Sequence, residues 1–208
     1  DEGNTRAVAL DMRTSDGQHW TYKLNNIDRQ NQSRIEYFFS TTFAGHERMR
    51  EWTGITHRLD LNITRCENLN IHNVWHNTPE NVLFYSYAYT ECKEPRPIST
   101  PSRCLYTKTL RLIVRAPKLR FGERLFITGK GKAFGEWNIE NAIAMTEHNT
   151  GEWQADINAI HIGHEAEFRF FAVDKDGTMT NENGANRIID MPHMQMGDMV
   201  VFELPEAD

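Results

Sequence analysis

The 208-residue sequence predicts an all-β protein. Hydrophobic residues recur with a period of two, turn-forming pairs separate the runs, and no strand pattern is followed by a helical one. Short strands spaced in this way suggest a β-sandwich or an open barrel.

In the first half, Ile35-Glu36-Tyr37-Phe38-Phe39 reads as a strand, and Asp16-Gly17 precedes His19-Trp20-Thr21-Tyr22. Four of the seven prolines (Pro79, Pro95, Pro97, Pro101) then fall in one stretch, which proline chemistry excludes from regular helix or central strand. That stretch reads as a connector. Beyond it, Leu110, Leu112 and Val114 alternate with Arg111 and Arg115, and Trp153, Ala155 and Ile157 alternate with Gln154, Asp156 and Asn158. Glu167-Phe168-Arg169-Phe170 continues the pattern and Met199-Val200-Val201-Phe202 closes it. The turns between are marked by Gly129, Gly131, Asn149-Thr150-Gly151, Asp176-Gly177 and Asn183-Gly184.

The two halves repeat each other. Asp16-Gly17-Gln18-His19-Trp20 matches Thr150-Gly151-Glu152-Trp153, Ile35 to Phe39 matches Ala166 to Phe170, and His57-Arg58 matches Asn186-Arg187. The offset stays near about 130 residues, as in a duplicated module with small insertions. Carried backwards, this offset places the first module's opening strands before Asp1. The expected organisation is an incomplete sandwich over 1–64, a Pro-rich linker over 65–106 and a complete sandwich over 107–208.

Composition narrows the function. The 23 basic and 29 acidic residues leave a net charge of -6 with no Lys/Arg block, so neither nucleic acid nor an anionic membrane is an expected partner. A mean hydropathy of -0.63 argues against a spanning helix. Cys66, Cys92 and Cys104 show no metal-binding spacing or disulfide framework and read as reduced thiols in a cytoplasmic protein. On that reading the sequons at Asn31 and Asn62 carry no glycan. The chain opens on Asp1 rather than Met and reads as part of something longer.

Catalytic and metal motifs fail. There is no GxSxG, P-loop, GxGxxG or HExxH, and Gly129-Lys130-Gly131-Lys132 lacks P-loop spacing. His161/His164 and His72/His76 have no third ligand nearby and read as surface histidines. Asp174-Lys175-Asp176-Gly177 opens like a calcium loop, but its twelfth position is Ala185, so a hairpin turn is expected. No catalytic residue, metal or cofactor is expected.

Aromatic residues point to binding instead. Trp137 follows Gly135-Glu136 outside any alternating run, so it either caps one end of the sandwich or offers a flat face for a sugar ring. Arg169, Glu182 and Asn186 are candidates to bind adjacent hydroxyls. Trp153 and Trp20 sit in strand patterns, where core packing is the expected role.

The order of motifs from Leu110 to Leu204 resembles carbohydrate-binding module family 20, the starch-binding domain. They are Arg120-Phe121-Gly122-Glu123, Thr128-Gly129, Phe134-Gly135-Glu136-Trp137, Glu152-Trp153, Glu167-Phe168-Arg169-Phe170 and Glu182 to Arg187. The resemblance implies an immunoglobulin-like antiparallel sandwich with two α-1,4-glucan sites. It places Trp137, Arg169, Glu182 and Asn186 in the first site, with Asn181 where the family has a second tryptophan. Phe121 and Trp153 match the second site. In the first half, which resembles the same family from about Ala7 to Leu61, Trp52 is the candidate and Phe38 stands at the position of Arg169.

Two such modules in tandem resemble the N-terminal region of a 4-α-glucanotransferase of the amylomaltase type. This implies a non-catalytic glucan-binding region, with α-1,4-glucans and a downstream catalytic barrel of the same polypeptide as partners. The transfer chemistry, through a covalent glycosyl-enzyme, would belong to that barrel. A module of another glucan-active enzyme, or a sandwich kept for inter-domain contact, is the alternative.

Overall fold

A computed structural model describes residues 8–25, 27, 32, 34–51, 56–61, 68–75, 106–116, 119–120, 122–149 and 151–207. The three cysteines, the clustered prolines, Asn31 and Asn62 of the two sequons, His76, Trp52 and Phe121 lie outside them. The chain divides into two compact units, Asp1–Ser33 and Arg34–Asp208. No helix among the described residues is long and apolar enough to cross a membrane.

In the first unit, Arg13 and Thr21 pair through backbone hydrogen bonds of 2.9 and 2.7 Å. The turn between them is organised by Asp16, whose Oδ1 accepts the backbone N–H groups of Gln18 and His19, each at 2.8 Å. The hydrogen bonds from His19 hold the Asp16 carboxyl well below the usual carboxylate range. None of the unit's described residues is buried. Trp20 is 56% exposed, so the expected core role for it does not hold. A single bridge aligns the chain there, and alternation alone gives a side chain nothing to pack against.

Among the described residues of the second unit, regular structure is mostly strand, with three short 3-10 stretches. Its elements are β1 (Arg34–Tyr37), β2 (Ser40–Phe43), β3 (His46–Arg50), β4 (His57–Asp60) and β5 (Leu69–His72). There follow β6 (Thr109–Arg115), β7 (Arg124–Gly129), β8 (Ile143–Ala144), β9 (Thr146–Asn149) and β10 (Glu152–Asn158). The last are β11 (Glu165–Val173), β12 (Met179–Asn181), β13 (Arg187–Asp190) and β14 (Met199–Leu204). One sheet has the order β5-β14-β6-β10-β9 and the other β12-β11-β7-β8, with β13 also pairing β11. The predicted all-β class is what the structure has.

The period of two explains the core. Leu110, Leu112 and Val114 of β6 and Trp153, Ala155 and Ile157 of β10 enter the same buried cluster as Leu125 and Ile127 of β7 and Phe168 and Phe170 of β11. Each such large side chain contributes about 1.5–3 kcal/mol by leaving water. The residues between them take the opposite face of each sheet. On the first sheet, Arg111 donates from Nε and Nη2 to Asp156 at 2.6 and 2.8 Å, and both side chains are buried.

Two features depart from the sequence reading. Residues 69–72, expected within the linker, form β5, which pairs in parallel with β14. β14 is also parallel to β6, so the sandwich is not uniformly antiparallel. The reason is placement: β14 lies between β5 and β6 and runs alongside both.

The internal repeat is visible in the strand register. Tyr37 pairs His57, Glu36 pairs Arg58 and Ile35 pairs Leu59 across β1 and β4. Phe168 pairs Arg187, Glu167 pairs Ile188 and Ala166 pairs Ile189 across β11 and β13. The β2–β3 hairpin, with Ser40 opposite Arg50, repeats the pairing of Phe171 with Asn181. Structurally, His57 therefore corresponds to Arg187 rather than to Asn186, one position from the sequence match.

Candidate functional site

The segment after β7 folds back in a 3-10 stretch, Lys132–Trp137, broken by left-handed residues. Gly135, Glu136 and Trp137 have φ of 77°, 56° and 61°. For the two residues with a Cβ this costs about 1–2 kcal/mol each. Gly135 is required twice over, because a Cβ there would also lie 2.5 Å from the Asn141 carbonyl oxygen. Gly129 is required by packing, since its Cβ would lie 2.4 Å from the Glu167 carbonyl oxygen.

The loop is fastened at both ends. Glu136 N–H donates to the Gly131 carbonyl at 3.1 Å and Asn138 N–H to that of Gly135 at 2.9 Å. Phe134 is buried and stacks on Phe168 at 5.4 Å, anchoring the loop in the core. Trp137 is 41% exposed. The strained turn thus buries the phenylalanine and leaves the tryptophan partly exposed to solvent, an arrangement a core residue would not need.

Arg169, Glu182 and Asn186 gather around the segment linking β12 to β13. Arg169 Nη2 donates to the Gly184 carbonyl, while its Nε is buried without a hydrogen-bond partner. Asn186 Nδ2 donates to Glu167 Oε1 at 2.8 Å. Arg169 lies opposite Thr128 in β7, whose hydroxyl donates to the Phe134 carbonyl. That hydrogen bond ties β7, the strand that neighbours β11, to the tryptophan loop.

Glu182 is engaged differently from its expected part in sugar contact. Its Oε1 accepts from both Nε (2.8 Å) and Nη2 of Arg187, and its Oε2 accepts from Phe170 N–H at 3.3 Å. Its side chain is only 6% exposed, so it acts chiefly as a clasp. Arg187 also donates to the carbonyls of Pro205 and Glu206, at 2.9 and 2.8 Å, and lies over the Phe170 ring.

Trp153 moves from the expected second site to the core. It is 9% exposed and belongs to the buried cluster between the sheets, as its strand alternation required. Phe121 and Trp52 lie outside the described residues. Since Glu51 corresponds to Glu182, the residue matching Asn181 in the first copy is Arg50, and Trp52 follows the glutamate instead of preceding it. Asp174 makes a hairpin turn, its Oδ1 accepting from Asp176 N–H at 2.9 Å and Thr178 N–H at 2.8 Å. His161 and His164 are exposed, and no group of three possible metal ligands occurs among the described residues.

Sequence reasoning missed one constellation. His57 Nε2 lies 3.1 and 3.0 Å from the Glu51 carboxylate oxygens, and its Nδ1 lies 2.8 Å from Glu203 Oε2. Its only sequence signal was the repeat, which set His57 against Asn186; the strand register is what aligns it with Arg187.

Residues 107–200 match the family model of the starch binding domain. A cyclomaltodextrin glucanotransferase from Geobacillus stearothermophilus is 25% identical over 97 residues, covering 45% of this chain and 14% of that protein. Among solved structures, a glucoamylase from Hypocrea jecorina is 24% identical, covering 55% of this chain and 19% of that one, with a TM-score of 0.41. The family 20 module of a maltotetraose-forming amylase from Pseudomonas saccharophila is 14% identical, covering 46% and 99%, with a TM-score of 0.37.

Proposed function

We propose that this chain is a non-catalytic α-1,4-glucan-binding region, with Trp137 as the stacking platform. The single observation behind the reading is a tryptophan left partly exposed by a strained, anchored loop, within the stretch that matches the starch binding domain. The axial C–H groups of a glucose unit pack on the ring, and Arg169 and Asn186 bind neighbouring hydroxyls. Glu182 supports the site by fixing Arg187 and the backbone of Phe170.

Binding tethers substrate to a catalytic domain of the same polypeptide and raises its effective concentration there. We assign that polypeptide to the 4-α-glucanotransferases acting in the cytoplasm. The tandem repeat supports this assignment, and a glucan-transferring enzyme stands among the relatives. The expected genetic finding is a coding region that continues into a (β/α)₈ barrel.

Migration of the full chain through native gels containing amylose tests the binding. Retardation is expected, and Trp137→Ala should weaken it by about tenfold, equivalent to about 1.4 kcal/mol. An unretarded native chain would overturn glucan binding, and a fully retarded variant would overturn the choice of platform.

A further inference from the structure

The two copies of the repeat hold the same glutamate with different cations. In the later copy the partner of Glu182 is the guanidinium of Arg187, which keeps its charge at any pH the protein survives. In the earlier copy the partner of Glu51 is the imidazole of His57, which can lose its proton.

The histidine is also placed where that proton joins two parts of the fold. Glu51, at the end of β3, and Glu203, in β14 of the sandwich, approach opposite nitrogens of one ring that is 1% exposed. Tyr37 of β1 stacks on the ring at 5.1 Å, Phe39 tilts against it at 5.1 Å, and Tyr37 Oη donates to Asn73 Oδ1 at 3.2 Å. Beside Glu203, a cavity of about 30 Å³ is lined by Tyr37, Arg58, Asn73, Arg111 and Glu152 among others. Its volume suits a single water molecule beside Glu203. The charged and titratable groups around the ring are therefore Glu51, Glu203 and Tyr37, with Arg58, Arg111 and Glu152 along the cavity.

We propose that Glu51, His57 and Glu203 form a proton-dependent latch. With the ring protonated, the 34–61 segment is fastened to β14; when the proton passes to water, the segment loosens while the sandwich stays folded. A protonated ring donates to both carboxylates at once. A neutral ring has one N–H, so one carboxylate then faces a lone pair, and two acidic groups are left close together without a cation between them. Burial opposes the charge on His57, but its hydrogen bonds to the Glu203 and Glu51 carboxylates outweigh it and push the pKa up to about 9. The latch therefore stays closed at neutral pH and opens under alkaline conditions.

The test is an NMR titration of the full chain, following the histidine rings and the backbone amides. His57 should titrate well above the other histidines, and amides of β1 and β4 should shift with the same midpoint while those of β10 and β11 do not. Glu203→Gln should lower the midpoint by about one unit or more. His57→Arg, which copies the later repeat, should abolish the response of β1 and β4. A His57 midpoint near that of an ordinary histidine, unresponsive β1 and β4 amides, or an unchanged midpoint in Glu203→Gln would each overturn the latch. So would a response that persists in a folded His57→Arg chain. If His57→Arg does not fold, the Glu203→Gln midpoint decides.

Discussion

Glu51 holds Phe39 by both ends: its carboxylate accepts the Phe39 N–H at 2.7 Å, and its own N–H donates to the Phe39 carbonyl at 3.0 Å. Glu182 holds Phe170 in the same two ways, at 3.3 and 3.1 Å. The duplicated unit is thus defined less by sequence identity than by a buried glutamate that closes the end of a hairpin. Removing the acid should damage both copies alike. Glu182→Ala strands Arg187 in a half-buried position and is expected to cost about 3–5 kcal/mol, read as a lower denaturation midpoint.

Replacing His57 affects stability in a direction that depends on pH. Its folded pKa, about 9, lies above the unfolded value, so its contribution is fully present below about 6.5 and is lost as pH rises through about 9. Denaturant titrations should therefore show about 3 kcal/mol disappearing across that window, and His57→Arg should flatten the profile. His72 acts the other way. Burial lowers its pKa, so its neutral form favours folding and that contribution is lost as the solution becomes acidic.

Gly135→Ala should disable the tryptophan loop without touching the ring. The added Cβ meets the Asn141 carbonyl and the backbone remains left-handed, so a destabilisation of about 1–3 kcal/mol is expected. Weaker retardation by amylose should accompany it. A variant retarded like the native chain would mean that the loop geometry is not needed for binding.

Asn181→Trp tests the missing platform. Asn181 is exposed at the end of β12, immediately before Glu182, so the larger side chain has room. An added stacking surface should tighten amylose binding by up to about tenfold. No gain would show that the site does not use a second ring there.

Much of this fold could be read in advance because period-two alternation reports burial directly. Leu110, Leu112 and Val114, and Trp153, Ala155 and Ile157, went where their spacing sent them. The same rule misplaced Trp20, since alternation states which residues share a side but not whether anything covers it. The exposure of Trp137 was left open, because capping and sugar stacking both want an aromatic residue outside a strand. The parts that could not be read are long-range and polar. Nothing in Leu69 to His72 announces a parallel partner at Met199 to Phe202, and nothing local links His57 to Glu203. Such pairings depend on topology, which a short window of sequence does not contain.

The position of β14 between β5 and β6 has a practical consequence for dissecting this protein. Expressing residues 107–208 alone would strip away β5 and leave the Met199–Leu204 backbone as an unpaired border flanked by Met199 and Val201. Such a fragment invites self-association through that border. A cut placed before Leu69 respects the sheet, so the natural seam between the copies does not coincide with the end of the proline-rich stretch.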